Sequence, residues 1–297
     1  GHNPKYFGVG NGVTYLNFVS DQFSGFHGIV VPGTLRDSLY ALDGLLEQNT
    51  SLKPRQLISD TGASSEMVFG LFRLLSYQFS PLLADIAERR YWRMDKGADY
   101  GRLNALAAHR IDTRLIAAHW DDLLRIAGSL VTGTVKASDL LKVIGVKPKG
   151  SLARALEAFG RVPATLHLLT YHDDPQYRRT IGTQRNMQEA RHSLARAVFG
   201  GRRGELRQPY RTGQEDQLGA LGLVLNAITL WNSRYLGLAV EHLRAQGYEV
   251  RDEDVERLSP LRFEHIHLEG RYAFTLAEAV KQGGLRPLRD PDDVLNE

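Results

Sequence analysis

"PRQLISDTGASSEMVFGLFRLLSYQFSP", residues 54–81, is the stretch on which the reading of this chain turns. A short apolar strand, Leu57-Ile58-Ser59, runs straight into an acid, Asp60, and a Thr61-Gly62 turn. A nearly all-apolar helix follows over 65–77, and a second short strand is expected around Tyr77–Phe79. A carboxylate at the C-terminal end of a buried strand is an unusual place for a charge, because burial of an unpaired ion is costly. Either Asp60 caps the following helix, as an N-cap or Asx-turn acid, or it is held there for its chemistry.

The residues upstream continue the same alternation. "KYFGVGNGVTYLNFV" (5–19) has two β-rich arms around Asn11-Gly12, a hairpin signal. The turn "SDQFSG" (20–25) leads to another apolar strand, "FHGIVV" (26–31), which Pro32-Gly33 ends. Thr34 can cap a helix whose Leu35, Leu39, Leu42, Leu45 and Leu46 recur at helical spacing. The order is hairpin, strand, helix, strand, helix, strand. From about residue 86 the pattern turns helical. "DTRLIAAHWDDLLRIAGSL" (112–130) is amphipathic with Asp112 as its N-cap; Ser151, after the polar break "KPKGS" (147–151), can cap the next helix. Residues 100–180 read as almost wholly helical. A further helix from 183 ends at Gly200-Gly201, a basic loop "RRGELRQPYR" (202–211) follows, and long helices fill 213–246 before a short irregular tail. No internal repeat or low-complexity segment interrupts this order.

The bulk numbers exclude several classes of function. There are no cysteines, which rules out thiolate metal sites, disulfides and cysteine nucleophiles, and points to a reducing cytosol. The longest apolar run, "LGALGLVLNAITLW" (218–231), contains Asn226 and Thr229 and is too short to span a bilayer, so a buried core helix is expected and no membrane partner. No signal peptide is visible at the start. "GH" ahead of "NPKYFG" reads as a cloning scar on a chain that begins inside something larger. The formal net charge of +3, with a pI of about 9.0, is compatible with a nucleic-acid partner without requiring one.

Two acids stand out. Metal-assisted phosphoryl transfer on nucleic acid needs hard oxygen ligands, and a strand-end Asp60 with a helix-borne Glu189 could supply them. The competing reading of Glu189 is a helix-surface ion pair, since Arg185 lies at i−4 and His192 at i+3. Asp21 is better read as a turn residue. His265 and His267 could ligate zinc from one strand face, but with no further ligands in view a structural role is favoured. The acid clusters Asp121-Asp122, Asp173-Asp174 and "RDEDVE" (251–256) read as solvated helix starts. In "GGRRGELRQPYR" (200–211), arginines can contact phosphates and Tyr210 can stack on a base. No phosphate-cradling glycine loop and no nucleophile elbow is present.

Taken in order, "NPKYFG" (3–8), "GVTYLNFVSDQFSGFHGIVVPGTLRDSLYALDGLLEQ" (12–48), "SDTGASSEMVFGLF" (59–72), "LLSYQFSPLLADI" (74–86), "EARHSLARAVFGGRRGELRQ" (189–208), "GQEDQLGALGLVLNAITLWN" (213–232) and "LSPLRFEHI" (258–266) resemble the C-terminal catalytic region of the Tn-three family of replicative bacterial transposases. The resemblance covers essentially the whole chain. The family is similar to the wider group of DDE transposases and retroviral integrases, which use an RNase H-like fold. There the acids lie on the first strand, at the end of the fourth strand and on a late helix, with a helical insertion before the last.

The resemblance therefore implies an α/β, RNase H-like mixed sheet with a large all-helical insertion and C-terminal helices. Residues 3–85 would be the first part of the core, 86–180 the insertion, 181–250 the remaining core helices and 251–297 a tail. Asp60 would be the second acid and Glu189 the third, both metal ligands, with Glu205 and Glu215 as rivals for the third place. His192 would support the leaving group or a phosphate, or simply lie on the helix face. Arg196, Arg202, Arg203, Arg207 and Arg211 would contact DNA phosphates. The implied cofactor is Mg²⁺ or Mn²⁺. The implied partners are transposon ends and target DNA in the bacterial cytoplasm, with a homodimer or pairing with a full-length transposase as further options. The first acid would lie upstream of "NPKYFG", so a truncated transposase, weak or inactive by itself, is expected. A non-catalytic regulatory fragment and a nuclease sharing the fold are the other open classes.

Overall fold

In the computed structural model, β1 (Val13–Val19) and β2 (Gly25–Pro32) pair with each other. The turn between them is closed by Ser20 N–H donating to Ser24 O at 2.8 Å and Phe23 N–H to Ser20 O at 3.2 Å, with Phe23 at a positive φ of 66°. A connection this short leaves only an antiparallel pairing. Asp21 lies in the turn and is exposed, as a turn residue should be. The structure describes residues 12–32, 39–60, 65–146, 148–199 and 211–268, and beyond these residues 280, 284, 285 and 288. The first arm of the Asn11-Gly12 hairpin, the Thr34 cap and the Gly200-Gly201 stop lie outside them.

α1 (Ala41–Glu47) buries Leu42 and Leu45, two of the leucines expected at helical spacing. β3 (Gln56–Ser59) then crosses through α2 (Glu66–Leu74) to β4 (Gln78–Pro81), which pairs parallel with it from Gln56 opposite Gln78 to Ser59 opposite Pro81. The decisive stretch is thus a βαβ unit. α2 stops before 77 because Ser76 adopts a positive φ of 63° and Tyr77 N–H turns back to Phe72 O at 2.9 Å. The unbroken apolar run Met67–Phe72 is buried throughout. One side of it faces the sheet, with Phe69 and Phe72 rings 5.0 and 4.7 Å from that of Phe79.

Residues 100–110 depart from the helical expectation. Trp92–Arg93 (β5) and His109–Arg110 (β6) form a two-residue parallel pair, joined through a single turn at 101–104. Side chains here compete with the backbone for its own donors. Asp99 Oδ1 accepts from Gly101 N–H at 2.9 Å, and Asn104 Oδ1 from Tyr100 N–H at 3.1 Å. Such local bonds favour turns over helix, and Gly101 takes a φ of 58°.

The remaining elements are helices: α3 (Thr113–Ala118), α4 (Trp120–Val131), α5 (Ala137–Ile144), α6 (Ser151–Asp173), α7 (Pro175–Phe199), α8 (Arg211–Ala245) and α9 (Asp252–Val255). Asp112 caps α3 as expected, accepting from Leu115 N–H at 3.0 Å. At α6 the cap is Gly150 instead of Ser151, since Gly150 O takes the first helical bond from Arg154 N–H. α6 is the other wall against α2. A Cβ on Gly160 would collide with Glu66 O, and one on Gly70 would meet Leu156 O at 2.8 Å, so the helices approach to backbone distance.

Two compact units divide the chain. Residues 1–19 and 26–186 form the first, whose core includes Leu42, Leu71, Phe72, Phe79, Leu123, Leu130 and Leu156. Residues 20–25 and 187–297 form the second, which buries Leu194, Leu218, Leu221, Leu225 and Leu261. On α8 only one face is inside. Leu223 and Leu230 are 72% and 61% exposed, so the run 218–231 is buried along one face only, and the buried core helix expected there leaves apolar side chains in solvent. Among the described residues no helix is long and apolar enough to cross a membrane.

Candidate active site

Asp60 stands one residue beyond the β3–β4 ladder. Leu82 N–H donates to Ser59 O at 2.8 Å, which closes the last rung and leaves the acid outside it. β3 is half-buried and the Asp60 side chain is 74% exposed, so the carboxylate faces solvent and bears little of the burial cost the sequence suggested. It does not cap α2. That cap is Ser65, whose Oγ accepts from Val68 N–H at 3.4 Å. An Asx-turn would involve residues 61–64, which lie outside the described ones. The one ion-pair partner of Asp60 among the described residues is Arg185 on α7, with Nε at 3.9 Å, beyond hydrogen-bond reach.

Directly under this strand end lies a polar network that sequence reasoning missed. His167 on α6 is 6% exposed and sits 3.0 Å from Pro81 O through Nε2. A carbonyl can only accept, so Nε2 carries the proton and Nδ1 is the acceptor. Nδ1 therefore receives the Tyr177 O–H at 2.9 Å. Ser80 Oγ in turn donates to the Tyr177 oxygen at 2.6 Å and accepts from Gln56 Nε2 at 2.9 Å. Burial pulls the His167 pKa below the ordinary histidine value, which keeps the ring neutral as this pattern requires. The sequence carries one faint sign of it, a histidine set within the apolar run of "TLHLLTY" (165–171).

In the second unit, Glu189 is exposed on α7, and His192 follows it by three residues. Burial lowers the His192 pKa, and the Glu189 charge opposes this more weakly. His192 Nε2 lies 2.8 Å from Gln188 Nε2. Arg191, 1% exposed, is the largest fully buried side chain among the described residues and was not singled out from sequence. Its Nη2 donates to Asn226 Oδ1 at 2.7 Å, and Asn226 clasps Gly25 through both N–H (3.0 Å) and C=O (2.7 Å), fixing the turn 20–25. Arg196 is exposed near the end of α7. Arg202, Arg203, Arg207 and Glu205 lie outside the described residues. Arg211 opens α8, and Glu215 is exposed on it.

Several of the other acids and histidines take structural places, and Asp173 ends α6 instead of starting a helix. Asp121 and Asp122 open α4, and Asp174 accepts from Gln176 and Tyr177 N–H at the start of α7. His265 stacks on Trp231 and bonds Asn232 Oδ1 at 2.9 Å.

Each of the two candidate acids, taken by itself, is of the donor type that suits a hard divalent cation. Asp60 and Glu189 offer exposed carboxylate oxygens, the ligand type Mg²⁺ prefers. Among the described residues no three metal-binding side chains converge. Magnesium sites, however, typically use one or two carboxylates with water and substrate phosphate completing the shell.

The family model of the Tn3 transposase DDE domain matches residues 1–272 of the chain. Similar proteins include the transposase for transposon gamma-delta of Escherichia coli (strain K12), 54% identical over 290 residues, covering 97% of this chain and 29% of that protein. The transposase for transposon Tn4556 of Streptomyces fradiae is 49% identical, covering 97% and 32%. The transposase for transposon Tn1546 of Enterococcus faecium is 37% identical, covering 97% and 29%. The chain thus spans under a third of the length of the curated relatives it matches. A mixed α/β chain with a strand-end carboxylate, matched over nearly all its length, belongs to the Tn3 transposase DDE domain family.

Proposed function

We propose that this chain is the catalytic domain of a replicative bacterial DNA transposase. In the cytoplasm it would nick DNA at transposon ends by hydrolysis and direct the freed 3′-OH onto target DNA. The observation that carries this reading is the placement of Asp60, a solvent-facing carboxylate at the C-terminal end of a parallel strand, in a chain of this family. The reading includes an RNase H-like core into which the helices of 86–180 are inserted.

Asp60 and Glu189 hold Mg²⁺ or Mn²⁺ in this scheme. The bound ion supplies the charge that activates the attacking oxygen and stabilises the leaving one. His192, held neutral by its burial, can donate a hydrogen bond to a phosphate oxygen without adding charge. Arg196, Arg202, Arg203, Arg207 and Arg211 neutralise backbone phosphates.

Manganese binding followed by electron paramagnetic resonance tests the metal assignment. Asp60→Asn and Glu189→Gln are each expected to weaken Mn²⁺ binding about tenfold or more, in the range seen for loss of a metal-site group. Retained wild-type affinity in either variant would remove that residue from the site. Strand nicking on a plasmid carrying a transposon end, by the full-length transposase bearing Asp60→Asn, tests the role in chemistry: undiminished nicking overturns it.

A further inference from the structure

The small β5–β6 element borders an open depression of about 540 Å³ lined by Arg93, Lys96, Asn104, Ala107, Ala108 and Arg110. That size is within the range of ligand sites. Three of its six lining residues are cations and none is an acid. Arg93 is held by neutral oxygens: Nε donates to Ala107 O at 2.7 Å, Nη2 to Asn104 Oδ1 at 2.8 Å, and Nη1 to Ala98 O and Lys96 O at 3.3 and 3.4 Å. Its charge is fixed in direction and has no carboxylate hydrogen-bonded to it among the described residues. Lys96 and Arg110 are exposed and have no ion-pair partner among the described residues. The nearby acids take local hydrogen bonds, and the Asp99 charge also acts on Arg93. Asp95 accepts from Gly97 N–H at 2.8 Å, and Asp99 accepts from Gly101 N–H and Asn104 Nδ2.

The depression is rigidly mounted. Arg110 pairs across the strands with Arg93, and Ile111 N–H donates to Arg93 O at 2.8 Å. The Trp92 ring lies near the His109 ring (5.1 Å) and the Arg161 guanidinium (4.0 Å), and the Trp92 backbone N–H donates to Thr165 Oγ1 at 3.2 Å. Tyr100, 44% exposed, lies beside Arg93, which sits 5.1 Å from its ring centre.

We infer that this depression is a phosphodiester-binding subsite that takes the backbone of double-stranded DNA, in addition to the arginines of 196–211. The inference rests on the DNA-processing reading above. Its lip is exposed at Lys96, Asn104, Ala108 and Arg110, which suits a polymer passing through better than a small molecule enclosed. Guanidinium and ammonium groups beside the buried Ala107 match phosphate oxygens flanked by deoxyribose, and such contacts position DNA without reading its sequence.

Fluorescence anisotropy with a labelled DNA duplex, repeated over stepped salt, tests it. The double variant Lys96→Gln/Arg110→Gln leaves Arg93, which holds the loop together, untouched. Arg125→Gln, an exposed cation on α4 paired with Asp122, serves as the charge control. The double variant is expected to lower the slope of log K against log salt by about 1.8, at about 0.9 per phosphate contact, on any duplex sequence. The control should not change it. A double variant with the wild-type slope overturns the subsite while leaving the DNA reading intact. A wild-type chain with no salt-dependent DNA binding overturns both.

Discussion

Asp60 and Asp43 show how differently two aspartates of one domain are used. Asp43 on α1 is 4% exposed, and its carboxylate reaches the start of α5, accepting from Ala137 N–H at 2.6 Å and from Ser138 N–H at 3.2 Å. Lys136, at the cap position itself, makes no such bond, so Asp43 does the capping from another element. Burial pushes the Asp43 carboxyl up, against the pull of these donors. Asp43→Ala is expected to destabilise the domain by about 1–3 kcal/mol, the cost of leaving buried N–H groups unpaired, as a lower midpoint in urea. Asp60→Asn is expected to leave stability within about 0.5 kcal/mol, as for exposed positions generally, while metal binding falls. A large stability loss in Asp60→Asn would mean a structural acid. The position of Asp60 beside its strand was legible in the sequence, because a strand and the residue after it are local features. The Asp43 cap was not, since its partners lie 94 and 95 residues away.

For the elements, the α2–α6 crossing is the sharpest constraint. Even the single methyl of Gly160→Ala is directed at Glu66 O, a backbone atom that cannot rotate away. Overpacking of this kind costs about 1–3 kcal/mol. On α4, Gly128 is exposed and has nothing within 4 Å of an added Cβ, so Gly128→Ala should stabilise by roughly 0.5–1 kcal/mol through helix propensity. Thermal melts of the two variants should shift in opposite directions. The apolar run 67–72 announced that α2 is buried on all sides. Which glycine admits its neighbour was not written there, because Gly160 resembles any other small residue of a long helix until the crossing point is known. The departure from helix at 100–110 has a local cause instead, Asp99 and Asn104 taking backbone donors that a helix would need.

Across the whole molecule, burial holds His27, His167 and His192 below the ordinary histidine pKa. An unfolded histidine takes up its proton near pH 6.5, whereas these rings stay neutral when folded. Stability is therefore fully present above about pH 6.5. It falls as the pH drops below that value, and levels off only below the folded-state pKa. The slope per histidine is at most about 1.4 kcal/mol per pH unit. Urea denaturation between about pH 7.5 and 5 should show this loss, and His167→Gln should make the dependence shallower. An unchanged slope in that variant would contradict the neutral, hydrogen-bonded ring.

Local pattern was enough to determine the strand–acid–helix–strand order, the Asp112 cap, the buried leucines of α1 and the resemblance to the family to which the chain belongs. These depend on backbone propensity and side-chain period over a few residues. The tertiary structure alone decided that Asp60 faces solvent, that His167 and Tyr177 bond to the strand beneath it, that Asn226 clasps the turn at Gly25, and that Arg93, Lys96 and Arg110 share one depression. Each joins residues whose separation along the chain says nothing of their separation in space, and burial and hydrogen bonding act only on the second.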